Sequence, residues 1–297
     1  MEKRTVSLVL GAGGARGYAH IGVIGWLNDH GFDIRSISGS SMGALIGGIY
    51  AAGQLDTYTE WVRALEQSDV LQLLDLSFGS SGLFKGERII QTLRDLVGDY
   101  SIEDLPLSFT AVATDLDAEK EVWLSDGPLF EALRASIAIP TLFTPFLYKG
   151  RRLVDGGLLD PLPIAPTLRD MTDITIAVDL SGRENPALES PAEHGVTGEK
   201  SLRKRIIRDF IEELLGRKPT EKKMAEMGMF DVISRSLDTM QSSIARLKLA
   251  SYSPDIIISI PKNACHFYEF YRADEIIALG RQLTEEALAG QGVVYVK

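Results

Sequence analysis

The chain has 297 residues, 45% of them apolar and 24% charged, a globular composition that excludes a mainly disordered chain. Its 41 acidic residues outweigh 31 basic ones, giving a net charge of −10, which weighs against a nucleic-acid binder. The single cysteine, Cys265, excludes an internal disulfide and a multi-cysteine metal site, and reads as a buried small hydrophobe in a reducing compartment.

Residues 5–10 (TVSLVL) form a short apolar run stopped by glycines, the pattern of a fully buried strand. A glycine-rich turn covers 11–17, and a helix over 18–30 carries Ile21, Ile24 and Leu27 on one stripe. A second strand over 34–38 runs into Gly39-Ser40-Ser41-Met42-Gly43 and a small-residue helix over 44–52. Strand, turn and helix thus occur twice within 55 residues, which predicts a parallel sheet with helices on both faces. Helices follow at 56–67 and 86–97, strands at 108–114 and 121–124, and a helix at 128–137. Residues 152–155 read as a strand ending in Gly156-Gly157, and 174–180 (ITIAVDL) as another buried strand. From 183 to 200 no apolar period is visible, which predicts a loop or mobile segment. Residues 202–215 have amphipathic helical spacing, with a basic first half: Arg203, Lys204, Arg205 and Arg208. A long helix over 229–250 places Ile233, Leu237, Met240, Ile244 and Leu247 in register; strand 255–260 and helix 273–289 end the chain.

The expected architecture is a three-layer α/β/α domain with a mainly parallel central sheet, one domain over 1–297. Its motifs lie in 5–181, a lid-like segment in about 183–230, and C-terminal helices and a strand in 229–297. The run Val6 to Leu10 is too short for a signal peptide, and no apolar run approaches the ~20 residues that span a bilayer. A cytoplasmic protein is expected, with peripheral membrane contact through the basic part of 202–215 weighed against an ordinary solvated face.

Three segments carry chemistry. Gly39-Ser40-Ser41-Met42-Gly43 matches G-x-S-x-G, which stands a nucleophilic serine, Ser41, on a tight strand-to-helix turn; Gly39 and Gly43 remove side chains that would clash there. Gly11 to Gly17 reads as an oxyanion hole with Gly13 and Gly14 as N–H donors, as a dinucleotide loop, or as a plain turn. The dinucleotide pattern needs glycine where Arg16 stands, and no acidic residue ends the second strand. Asp155-Gly156-Gly157 places a carboxylate at a strand end, in reach of the same sheet edge, although Asp-Gly is also a common turn signal.

In this order the three segments resemble the patatin-like phospholipase family: glycine loop with Arg16, serine elbow, and D-G-G. Ala135 to Pro140 is similar to the family's A-S-x-A-x-P block, and Ala113-Thr114-Asp115-Leu116 and Ala177-Val178-Asp179-Leu180 to segments of its bacterial branch. The resemblance implies hydrolysis of a lipid or other acyl ester by a Ser41–Asp155 dyad. Gly13 and Gly14 supply the oxyanion hole, Arg16 supports the loop or adds positive potential, Gly156 is a supporting residue of the D-G-G turn, and neither metal nor cofactor is needed. The family's loop reads G-G-G-x-[R/K]-G; here Ala12 replaces the first glycine, so Ala12 must keep a negative φ.

Three rivals remain. One is a Ser-His-Asp α/β-hydrolase, for which His194 and His266 follow the acid in chain order and His20 and His30 do not. The second is a regulatory or scaffold protein on the same fold, with little turnover, and the third is a nucleotide-binding protein. Met224, Met227 and Met229 read either as packing or as a soft apolar mouth for acyl chains.

Overall fold

A computed structural model describes residues 3–73, 84–188 and 229–289. The predicted helix 202–215, His194, Met224 and Met227 lie outside these residues.

Among the described residues eight strands form one mixed sheet: β1 (Thr5–Leu10), β2 (Asp33–Ser40), β3 (Ser108–Asp115), β4 (Lys120–Leu124), β5 (Phe146–Tyr148), β6 (Arg151–Asp155), β7 (Ile174–Gly182) and β8 (Ile256–Pro261). Their order is β5-β6-β3-β2-β1-β7-β8, with β4 also paired to β3. From β3 through β8 the adjacent strands run parallel, whereas β4, β5 and β6 pair antiparallel. The helices are α1 (Ala19–Asp29), α2 (Met42–Ala51), α3 (Leu55–Ala64), α4 (Gln67–Gln72), α5 (Glu87–Val97), α6 (Leu129–Ser136), α7 (Met229–Tyr252) and α8 (Ala273–Ala289). The short β5 and α4 were not legible in the sequence; three apolar residues after Pro145 carry no alternation long enough to read.

Alternation along the strands explains the layers. Val6, Leu8 and Leu10 of β1, with Ile176 and Val178 of β7, join the large core under α1, α2 and α8. Val9 and Ala177 point the other way, into a smaller core with Leu162, Ile164 and Ala245 of α7. Both faces of the parallel strands are therefore buried, which is why they read as continuous apolar runs. On the larger face α1 and α8 approach to backbone contact: a Cβ on Gly22 would lie 2.0 Å from Ile277 O, and one on Gly280 2.2 Å from Ala19 O.

One expectation about α7 is corrected. Of the five residues in register, Ile233, Leu237 and Ile244 are half-buried, while Met240 and Leu247 are exposed, at 49% and 67%. The helix turns Ala245 and, partly, Leu249 and Tyr252 to the sheet. Polar ties set that rotation: Asp238 pairs with Arg16, and Lys248 with Asp160 and Glu121, at 2.9, 3.1 and 3.1 Å. Apolar periodicity does not report such ties.

Candidate active site

Register brings the motifs together. On β3, Val112 pairs with Ser40 and the next residue, Ala113, pairs with Asp155. The ends of β2 and β6 are therefore neighbours across one strand, although Ser41 and Asp155 lie 114 positions apart. Leu10 pairs with Gly39, which sets the glycine loop beside the same edge.

Ser41 sits between β2 and α2 at φ 54° and ψ −123°, a conformation that non-glycine residues rarely adopt and that marks a serine elbow. The surroundings hold it there. Its N–H donates to Ser136 Oγ at 2.9 Å, and Ser136 Oγ donates in turn to Val112 O at 2.6 Å. The flanking glycines are required by space: a Cβ on Gly43 would lie 2.0 Å from Leu10 O, and one on Gly39 2.5 Å from the backbone of Gly43 and Ala44. Gly156 is equally confined: a Cβ there would lie 2.1 Å from Val112 O.

Ser41 Oγ donates to Asp155 Oδ2 at 2.6 Å, while Asp155 Oδ1 accepts the N–H of Gly157 at 2.7 Å. Both residues are buried, at 4% and 3% exposure. Burial pushes the Asp155 carboxyl up to about 7, against the opposing pull of its bonds to Ser41 and Gly157. That is the range in which a group exchanges protons most usefully at neutral pH.

The glycine loop has two uncommitted donors. Ala12 and Ala15 give their N–H groups to Pro161 O and Phe267 O, at 2.8 and 2.9 Å. Between them, the N–H groups of Gly13 and Gly14 meet no acceptor among the described residues. Gly14 has φ +56°, and a Cβ there would lie 2.4 Å from the Phe267 ring. Ala12 avoids positive φ, as the departure from triple glycine required. Arg16 is buried and donates Nε–H to Gly13 O at 3.2 Å.

A cleft adjoins these groups. Ala12, Gly13, Ser41 and Asp155 form its base; Ile139, Leu142, Leu158, Ile233 and Leu237 give it apolar walls. The sequence pattern of the Patatin-like phospholipase family matches residues 8–168. This chain belongs to that family. It is 43% identical to an uncharacterized NTE family protein of Mycobacterium tuberculosis, over 95% of this chain and 91% of that one. It is 34% identical to Lysophospholipase nte1 of Emericella nidulans, over 60% of this chain and 12% of that one. It is also 32% identical to Neuropathy target esterase sws of Drosophila melanogaster, over 62% of this chain and 13% of that one. Membership carries the general assignment, a lipid acyl hydrolase.

The histidines among the described residues, His20, His30 and His266, make their contacts with other groups than the serine. His20 is fully buried, with Nε2 2.9 Å from Gly11 O, and burial lowers its pKa to about 4. His30 stacks on Trp26, and His266 on Tyr268. Among the described residues, no histidine hydrogen-bonds to Ser41 or Asp155. Sequence reasoning noted the segment around Ser136 only by resemblance and missed the clamp it puts on Ser41. It also missed Asp238, Gln241 and Phe267 at the cleft, since nothing local marks residues that arrive from α7 and the chain after β8.

Proposed function

We propose that this protein hydrolyses fatty-acyl esters, such as phospholipids, lysophospholipids or simple lipid esters, with Ser41 as nucleophile and Asp155 as its direct base. The 2.6 Å bond between Ser41 Oγ and a buried Asp155 Oδ2 carries the reading. As Oγ attacks the acyl carbonyl carbon, its proton passes to Asp155. The carbonyl oxygen becomes an oxyanion held by the N–H groups of Gly13 and Gly14, with the N-terminus of α2 adding favourable potential. Collapse breaks the ester bond, and Asp155 returns the proton to the departing alkoxide. A water then gives a proton to Asp155 and attacks the acyl-serine, and Ser41 is restored as the fatty acid leaves. The apolar cleft walls suit an acyl chain, and the names of the relatives above point to the same substrate class. No described helix is long and apolar enough to cross a membrane; we place the protein in the cytoplasm, with peripheral contact where its substrate lies in a bilayer.

A fluorophosphonate probe tests the reading. It should label the folded protein at Ser41 alone, and a long-chain ester in excess should slow the labelling. A folded protein that resists the probe and turns over no ester would favour the scaffold alternative.

The loop gives a second expected result. Gly14→Ala should lower kcat by about 10²-fold, the usual cost of one oxyanion donor, with a smaller change in KM. The added methyl group strains a φ of +56° and displaces Phe267, so melting is expected to fall too. Hydrolysis left intact beside lost nucleotide affinity would support the dinucleotide-loop reading instead.

A further inference from the structure

Arg16 is 6% exposed, and a guanidinium buried that deeply needs a partner for its charge. Its fork makes three bonds: Nε to Gly13 O at 3.2 Å, Nη1 to Lys262 O at 3.5 Å, and Nη2 to Asp238 Oδ1 at 2.9 Å. Only the last partner is charged. Asp238 lies on α7, 222 positions from Arg16 and beyond the stretch 8–168 that defines the family, yet it lines the cleft over Ser41.

The first of the three bonds determines the consequence. The described peptides are all trans, so the Gly13 carbonyl and the Gly14 N–H point in opposite directions from one rigid plane. Turning Gly13 O onto Arg16 Nε therefore fixes the direction of the Gly14 N–H. Gly13 carries no side chain to restrain this plane, and the N–H groups of Gly13 and Gly14 meet no acceptor among the described residues.

We propose that Asp238 is a positioning residue for hydrolysis: by holding Arg16 it locks the Gly13–Gly14 peptide plane and aims the Gly14 N–H at the developing oxyanion. This rests on the oxyanion reading above. It differs from a simple tether between α7 and the sheet, which would protect folding and substrate binding without favouring the transition state.

Asp238→Ala and the near-isosteric Asp238→Asn, with Arg16→Lys alone and combined with each, test it in the full chain. With a p-nitrophenyl ester, Asp238→Ala should lower kcat about tenfold or more, part of the cost of losing a donor outright, and leave KM within about threefold. Asp238→Asn keeps an acceptor oxygen and should lie between it and wild type. Lysine cannot bond Gly13 and Asp238 as a fork, so in the Arg16→Lys background Asp238→Ala should cost less than about twofold more, the non-additivity expected of one chain of contacts. A long-chain trifluoromethyl ketone adds to Ser41 as an oxyanion-bearing hemiketal, its proton passing to Asp155. Its affinity should fall in step with kcat/KM, while that of the matching alcohol, which forms no adduct, stays constant. A folded Asp238→Ala or Asp238→Asn protein with wild-type kcat overturns the proposal, as does a loss that adds in full to that of Arg16→Lys. A wild-type protein that binds the ketone no better than the alcohol would instead remove the oxyanion hole itself, and the proposal with it.

Discussion

Ser41→Ala is expected to lower ester hydrolysis by about 10⁵-fold or more, the scale seen when a serine nucleophile is deleted, while the protein still folds. The substitution removes only Oγ. Ser41 N–H keeps its bond to Ser136, and an alanine pays the same backbone strain at φ 54° that serine already pays. What the protein loses is the donor to Asp155 Oδ2, one of two bonds that hold the carboxyl pKa down. The carboxyl should then titrate at higher pH and meet neutral solution as the acid, which spares the fold a buried, unpaired charge. Melting within a few degrees of wild type, with no labelling by a fluorophosphonate, is the expected pair of results. Ser41→Gly should be equally inactive and more stable than Ser41→Ala by about 1 kcal/mol, since glycine alone accepts this φ without strain. Turnover in either variant above trace level would move the nucleophile elsewhere.

Asp155→Asn is expected to cost at least about 10⁴-fold in kcat/KM, comparable with the loss when a triad acid is changed to its amide. The amide keeps the shape but offers no basic oxygen. In a histidine triad the acid only orients the ring; among the described residues no ring hydrogen-bonds to Asp155, and in the proposed dyad all of the proton transfer falls on Asp155. Replacing His20, His30, His194 or His266 singly should leave activity within about tenfold of wild type, on the scale of an indirect packing effect rather than of general-base loss. A folded His194 or His266 variant as inactive as Ser41→Ala would restore the triad.

The pH profile supports this pair but cannot replace it. Below a pKa of about 7 Asp155 holds a proton and cannot accept another, so kcat/KM should fall on the acid side of neutrality. A histidine near 6.5 would give nearly the same limb. A solvated carboxylate would titrate lower, but burial raises this one. Stability moves in the opposite sense to activity. The folded-state value lies above the unfolded 3.8, so between about 4 and 7 the folded protein holds the extra proton, and this group's contribution declines as pH rises through that window. Asp155→Asn removes that slope. At pH 8 it should melt no lower than wild type while remaining inactive, the combination expected where a buried charge is kept for chemistry.

Much of this protein was legible in its residues one after another. The apolar runs at Thr5–Leu10, Ser108–Asp115 and Ile174–Gly182 announce buried strands because both of their faces are covered. The glycines around Ser41 and after Asp155 announce tight turns, because their spacing meets a local steric need that any sequence must satisfy. What depends on distant parts of the chain was not legible. The contact between Ser41 and Asp155 follows from the register of two strands on the shared β3, and register is fixed by packing rather than by either motif. Whether a histidine reaches the serine was equally a matter of packing, as His20 shows by turning to Gly11 O. α7 leaves part of its apolar period, Met240 and Leu247, exposed, while its Asp238 and Lys248 pair with Arg16 and Asp160. The Asp155 pKa is a property of its burial, which no local pattern encodes. The sequence by itself determined which groups stand at the ends of which elements, since turns and strands are short-range. Only the tertiary structure decided which of those groups touch, and how deeply each is removed from water.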